Sequence, residues 1–329
     1  MRCSGNWPRV CIADICQSIV DCPNRTAPTV NEVTPYKMIR TTNVRHGRID
    51  LSNVKYVDRP TYERWTRRQV PRAGDIILTR EAPLGEVGML KTSDLVFLGQ
   101  RLVSYRADLD KVDRRFLLYA LQSDDVQAQI RAFGSGATVE HMRVPDAKKL
   151  MVRVPALATQ RRIGSILSAY DDLIENNTRR IVILEEMAER LYQEWFVKFR
   201  FPGHESVTLI QSDLGTLPSG WEPTYFTSLA EVQSGGTPKK SAPEFWNGAI
   251  PFYTPTDAPR FAYALDTDAS ITEQGLARCN SQLYPKDTIF ITARGTVGKV
   301  ALASRPMAMN QSCYARSEEH TSELQSRHN

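Results

Sequence analysis

The chemistry this sequence offers most is hydrogen bonding from short, polar, arginine-rich segments. Arg40, Thr42, Asn43, Arg45 and His46 fall within seven residues; Arg80 closes a Gly-Asp-Ile-Ile-Leu-Thr-Arg run; Gln100 and Arg101 are adjacent. Ser135, Gly136 and Thr138 stand in a Gly-Ser-Gly-Ala-Thr segment. Side chains of these types meet phosphate oxygens and the donor–acceptor pattern of base edges. Glycine lets backbone N–H groups come close to a phosphate. The competing reading of each residue is a turn or a solvent-facing position. Two cationic clusters, Arg40/Arg45/His46/Arg48 and Arg64/Arg67/Arg68/Arg72, fit nucleic acid and also fit a solvated charged face.

Catalytic chemistry finds no comparable support. The sequence holds no Gly-x-Gly-x-x-Gly or Walker-type loop. The Asn/Asp-Pro-Pro-aromatic tetrapeptide of an amino-methyltransferase is missing, and Ile250-Pro251-Phe252-Tyr253 is only an echo of it. His46, His141 and His204 stand apart, and Glu63, Asp75 and Glu81 read as scattered surface or turn carboxylates. Cys3, Cys11, Cys16 and Cys22 form no Cys-x-x-Cys pair, so buried free thiols are expected rather than a metal site. No catalytic residue and no metal ligand is assigned, and binding is the class expected. The net charge of +5 permits a nucleic-acid partner without requiring one. A hydrophobic share of 41% and a charged share of 24% describe a folded globular chain. The longest apolar runs are too short to span a bilayer, and Met1–Val10 has no apolar signal core, so a cytoplasmic protein with no membrane partner is expected.

The elements that must hold these residues are revealed by repetition. Trp7 and Trp221 open comparable segments, Tyr36–Asn43 matches Ile250–Asp257, Gly74–Arg80 matches Lys286–Thr292, Gly85–Gly88 matches Gly298–Ala301, and Gly99-Gln100 matches Asn310-Gln311. The offset drifts only from 214 to 211 residues, too little for coincidence, so the chain holds two copies of one domain. Each copy reads mainly as strands, with the paired glycines expected at a tight hairpin. Copy one continues into an amphipathic helix over about 113–131 and an apolar run at 150–155.

Between the copies, 159–199 contains no proline and one glycine. Ile163, Leu167, Tyr170, Ile174, Asn177, Ile181, Leu184, Ala188, Leu191 and Trp195 alternate by four and three, the seam of a long helix that packs on another. Asn177 is expected to bury an amide in that seam and fix its register. No second heptad run occurs to serve as its mate, so the chain is expected to be incomplete. Arg316–Asn329 resembles a translated sequencing-adapter oligonucleotide and is set aside as an artefact. Copy two then lacks the last third that copy one has. Two diverged binding domains on a helix of fixed length suit a target in two different halves with a gap between them.

This order of domain, helix and domain resembles the specificity subunits of type I restriction-modification systems. The stretches GDIILTREAPLGEVG, LGQR, GSGATVEHMR and VPALATQRRIGSILSAYDDLIENNTRRIVILEEMAERLYQEWF carry the resemblance, the last through Gln160, Ile163, Leu167, Asp171, Ile174, Asn177, Leu184 and Trp195-Phe196. It implies an α+β fold: a first target-recognition domain at 1–157, a coiled-coil-type helical spacer at 158–202, and an incomplete second recognition domain at 203–315. It implies a chain that is not itself an enzyme but recognises a bipartite site in double-stranded DNA. It also implies docking of two adenine-N6 methyltransferase subunits and of endonuclease-translocase subunits. S-adenosylmethionine, ATP and Mg would then belong to those partners, with no cofactor on this chain. Leu167, Tyr170, Ile174, Asn177, Ile181, Leu184, Leu191 and Trp195 are the expected helix-packing and partner residues. Two alternatives stand beside it: the detached recognition region of a fused methyltransferase-nuclease, and a coiled-coil adaptor that does not touch DNA.

Overall fold

Alternation of apolar residues builds both halves of the molecule. A computed structural model describes residues 7–23, 25–134, 140–213, 215–259 and 261–317. The first half runs β1 (Arg9–Cys11), α1 (Ile12–Ile15), β2 (Cys16–Asp21), β3 (Lys37–Ile39), β4 (Val44–Arg45), β5 (Arg48–Ile49) and β6 (Lys55–Tyr56). It continues through α2 (Arg59–Trp65), β7 (Ile76–Arg80), β8 (Leu84–Met89), β9 (Val96–Leu98), β10 (Leu102–Ala107), α3 (Arg114–Gln122), α4 (Asp124–Phe133), α5 (Val144–Ala147) and β11 (Met151–Arg153). The long helix α6 (Leu157–Tyr192) ends in a π-helical turn, Gln193–Val197. The second half runs β12 (Leu209–Ser212), β13 (Gly215–Pro218), α7 (Phe226–Leu229), β14 (Glu231–Ser234), β15 (Trp246–Tyr253), β16 (Tyr263–Ala264), β17 (Ala269–Ile271), α8 (Glu273–Ala277), β18 (Ile289–Thr292), β19 (Val300–Ala303), β20 (Ala308–Met309) and β21 (Cys313–Ser317). The chain forms two compact units, residues 1–176 and 177–329.

The duplication is written in the sheets. In the first unit one sheet has the order β2-β10-β7-β8 and a second the order β6-β3-β9; the second unit repeats them as β14-β21-β18-β19, extended by β16, and β17-β15-β20. The pairings repeat in sense as well: β3 runs antiparallel to β6 and parallel to β9, and β15 runs antiparallel to β17 and parallel to β20. Successive residues of β7 serve different cores, as a period of two requires. Ile76 and Leu78 join Val103, Tyr105, Phe116, Leu117 and Leu121 beneath α3 and α4. Ile77 joins Met38, Ile39, Tyr62, Trp65 and Phe97 between the sheets and α2.

Several expectations are corrected here. The helix expected over 113–131 is two helices, α3 and α4, broken at Ser123, whose extended backbone (φ −66°, ψ 149°) ends one and caps the other. Gly85 and Gly88 lie inside β8, not in its hairpin, and the turn falls at 81–83. Gly88 is needed for space: a Cβ there would stand 2.5 Å from the Arg48 carbonyl oxygen. The end drawn for the second domain at Ala315 falls inside β21, whose Arg316 and Ser317 pair with Val232 and Glu231.

The two units differ in what covers the first sheet. In the second unit Val232, Val300 and Tyr314 remain 46%, 57% and 46% exposed on the face equivalent to the one under α3 and α4, and no matching helices occur among the described residues.

Candidate nucleic-acid interface

Arg40, Thr42, Asn43, Arg45 and His46 follow β3 through a 3-10 turn, Thr41–Asn43. Asn43 is buried, its Oδ1 accepting from the Arg40 N–H and its Nδ2 donating to the Asn53 carbonyl, each at 2.9 Å. That amide shapes the turn and is buried away from a ligand, unlike the contact expected of it. Arg40 donates to the Asn53 carbonyl at 3.0 Å, and Arg45 donates to the carbonyls of Thr41 and Val44 at 2.7 and 2.6 Å. A guanidinium carries five N–H donors, so both keep donors to spare. Thr42 and His46 are exposed. His46 adopts a left-handed backbone (φ 47°), its N–H held by Glu86 at 3.0 Å. Thr42, Asn43, Arg45 and His46 line one concavity of about 450 Å³, closed by Arg48, Asp50, Asp171 and Ile174.

The second group is used more by the fold. Arg80 is buried at 8% exposure and donates to the Met142 carbonyl at 3.0 Å, while its own N–H and C=O pair with Arg101 and Met142. It therefore positions the neighbouring segments, in contrast to the expected DNA contact. Arg101 is exposed, and Glu81 bridges it to His141, with N···O distances of 3.3 Å on each side. With both ends of its amide satisfied, Gln100 donates to Thr26 Oγ1 and accepts from the N–H groups of Arg25 and Thr26, all at 3.1 Å. Gln311 meets Thr237 in the same place, its Oε1 accepting from Thr237 Oγ1, 74 residues away as Thr26 is from Gln100. The recurrence of this glutamine thus has a structural cause: it clasps the loop after the first strand of each sheet. Ser135, Gly136 and Thr138 lie outside the described residues.

Among the described residues no His/Cys/Asp/Glu group could hold a metal ion. Cys11, Cys16, Cys22, Cys279 and Cys313 are free thiols. Burial pushes Cys16 up to about 12, Cys22 to about 11 and Cys313 to about 12, which keeps them protonated and unreactive near neutrality.

The helix α6 docks by its start on the first unit. Gln160 is buried, accepting from the Asp113 N–H and donating to the carbonyls of Lys111 and Pro155. Gly164 lets the helix lie against α3, and Ile163 packs into the first core. Asp171 accepts from Tyr119 Oη at 2.6 Å and, through its carbonyl, from Arg48 at 2.9 Å, while Lys91 pairs with Asp172 and Glu175. The seam itself is largely exposed. Leu167, Tyr170, Ile174, Ile181, Leu184 and Leu191 are 39–64% exposed. Asn177 is exposed too, so its amide is not the buried one expected. Trp195 is half-buried and packs instead in an aromatic group with Phe196, which also touches Trp221.

A family model described as the type I restriction modification DNA specificity domain matches residues 5–186 and 218–327. The chain belongs to this family. Similar curated proteins are specificity subunits. The MjaIX subunit of Methanocaldococcus jannaschii is 27% identical over 256 residues, covering 75% of this chain and 58% of that protein. The HindI subunit of Haemophilus influenzae is 22% identical over 321 residues, covering 80% and 69%. This specificity-domain chain therefore spans little more than half the length of the first of these relatives. Its fold is shared with the type I restriction-modification S subunit of M. genitalium, with a TM-score of 0.56 at 17% identity, covering 98% of this chain and 75% of that one. No helix among the described residues is long and apolar enough to cross a membrane.

Proposed function

We propose that this chain is a non-catalytic specificity subunit that reads DNA sequence for a type I restriction-modification complex. Each two-sheet unit reads one half of a bipartite target in double-stranded DNA, and α6 docks two methyltransferase subunits and, with them, the endonuclease-translocase subunits. The observation that carries the reading is that the two units repeat one sheet order and pairing sense while their exposed loop residues differ. A shared scaffold with different surfaces is what two different half-sites require. Thr42, Arg45, His46, Arg40 and Arg101 are the proposed contacts in the first unit, positioned by Asn43, Arg80 and Gln100; Ser135, Gly136 and Thr138 are proposed as contacts on their residue types alone. A 36-residue helix is about 54 Å long, on the order of one and a half turns of duplex, a span suited to a fixed gap between half-sites. S-adenosylmethionine, ATP and Mg belong to the partner subunits in this reading, this chain binds no cofactor, and the complex works in the cytoplasm.

The test is a binding selection. The chain, co-expressed with its methyltransferase subunits, is offered a duplex library with randomised flanks, and the bound fraction is sequenced. Two short motifs at a constant separation are expected. A single contiguous motif, or no enrichment at all, contradicts the proposal.

A further inference from the structure

Away from the loops considered so far, four arginines ring a concavity of about 490 Å³ on the first unit. Arg25 comes from the loop after β2; Arg64, Arg67 and Arg68 come from the last turn of α2 and the residues that follow it. Pro23 and the buried Trp65 complete the wall. All four guanidinium-bearing residues are exposed. Arg68 pairs with Asp21, whereas Arg25, Arg64 and Arg67 make no salt bridge among the described residues. Asp58 is held chiefly by Thr61, with the Arg64 charge a lesser influence.

The backbone beneath them is fixed. Gln100 holds the Arg25 N–H, Asp58 caps α2 through the Thr61 N–H at 2.9 Å, and Tyr62 and Trp65 anchor α2 in the core. Three unpaired arginines on a rigid ledge are costly neighbours for one another, and an anion relieves that repulsion.

The second unit shows that the scaffold does not need them. Counting from the helix caps Asp58 and Thr272, the places of Arg64, Arg67 and Arg68 are taken by Arg278, Ser281 and Gln282. Gly236, just before the clasp residue Thr237, stands for Arg25. Even the structural tie is neutral there, with Gln282 donating to Gln233 at 3.0 Å where Arg68 meets Asp21. One arginine of four is kept.

We propose that Arg25, Arg64 and Arg67 form a phosphate-binding site, particular to the first unit, that takes the sugar–phosphate backbone of duplex DNA beside its half-site. The proposal rests on the DNA-reading function above and adds to it a grip that is not shared by the two units. Guanidinium forks suit phosphate oxygens in pairs. The aromatic wall, Trp65, is buried and offers no platform for stacking bases, which favours a duplex over a single strand.

Fluorescence anisotropy of the full chain with a labelled duplex of mixed sequence, about 30 base pairs long and titrated at several salt concentrations, tests the site. For the triple variant Arg25→Gln/Arg64→Gln/Arg67→Gln, the slope of log affinity against log salt is expected to become shallower by about 2 to 3, on every duplex sequence alike. Arg67→Gln alone should remove about one, which keeps the test intact if the triple variant folds poorly. Arg59→Gln, at the other end of α2 and paired with Glu63, should leave the slope within one of the original. A triple variant with unchanged slope and affinity overturns the site. So does a loss confined to particular sequences, which would assign these arginines to base reading. An unaltered chain with no salt-dependent affinity for any duplex overturns the DNA-reading function and the site together, a result distinct from either.

Discussion

Asn43 and Asp257 occupy one place in the two units, each accepting the N–H three residues earlier and shaping a 3-10 turn after its strand, from Arg40 at 2.9 Å and from Thr254 at 2.7 Å. Asn43→Ala would leave the Arg40 N–H without its acceptor and the Asn53 carbonyl with one donor of two, and about 1–3 kcal/mol of stability should be lost in a urea melt. Asn43→Asp keeps the acceptor and should lose less. The matching segments were legible in the sequence, but a repeated polar residue looks the same whether it caps a turn or meets a ligand, and burial decides between them. The same ambiguity covers Gln100 and Arg80. Cys22 carries a pH prediction. Its folded pKa, about 11, exceeds the ordinary thiol value of 9.0 because burial disfavours the thiolate, so the unfolded chain loses its proton first. The stability this thiol contributes is therefore complete below pH 9.0 and is lost as pH rises towards about 11. Melting temperature should fall across that window and fall less in Cys22→Ala; an equal fall in both would contradict the assignment.

At the scale of elements, α6 was legible from its heptads because the spacing of apolar residues is a property of the chain alone. Where it docks was not, since the contact is made by the polar Gln160 and the small Gly164. A Cβ on Gly164 would stand 2.9 Å from Asp113 Oδ1 and 3.0 Å from both Arg115 Cβ and the Phe116 nitrogen. Asp113 caps α3, so Gly164→Val should disturb helix and cap together, costing about 1–3 kcal/mol in a thermal melt. Lys91→Ala, which removes an exposed pairing with Asp172 and Glu175, should cost no more than about 1 kcal/mol. If the two variants melt alike, the close approach at Gly164 does not hold the helix. The break at Ser123 escaped pattern reading because apolar spacing continues through it, while the backbone there turns extended to start a new helix with Asp124 and Asp125 in its first turn.

For the whole molecule, duplication explains most of what the sequence makes readable. Sheet order is set by apolar alternation and turn residues that both copies retain, and it repeats in both units. Surface chemistry is what diverged: Arg25, Arg67 and Arg68 against Gly236, Ser281 and Gln282, and Arg40 and Arg45 against Thr254 and Pro259. A scaffold held constant beneath changing loops is the arrangement expected of two readers with different targets. The most direct test is a map of N6-methyladenine in a host that carries the chain with its methyltransferase subunits, compared with the map for Arg45→Ala/His46→Ala. The account predicts a split motif in which the double variant alters or relaxes one half and leaves the gap and the other half unchanged. Changes in both halves, or methylation without a split motif, would contradict it.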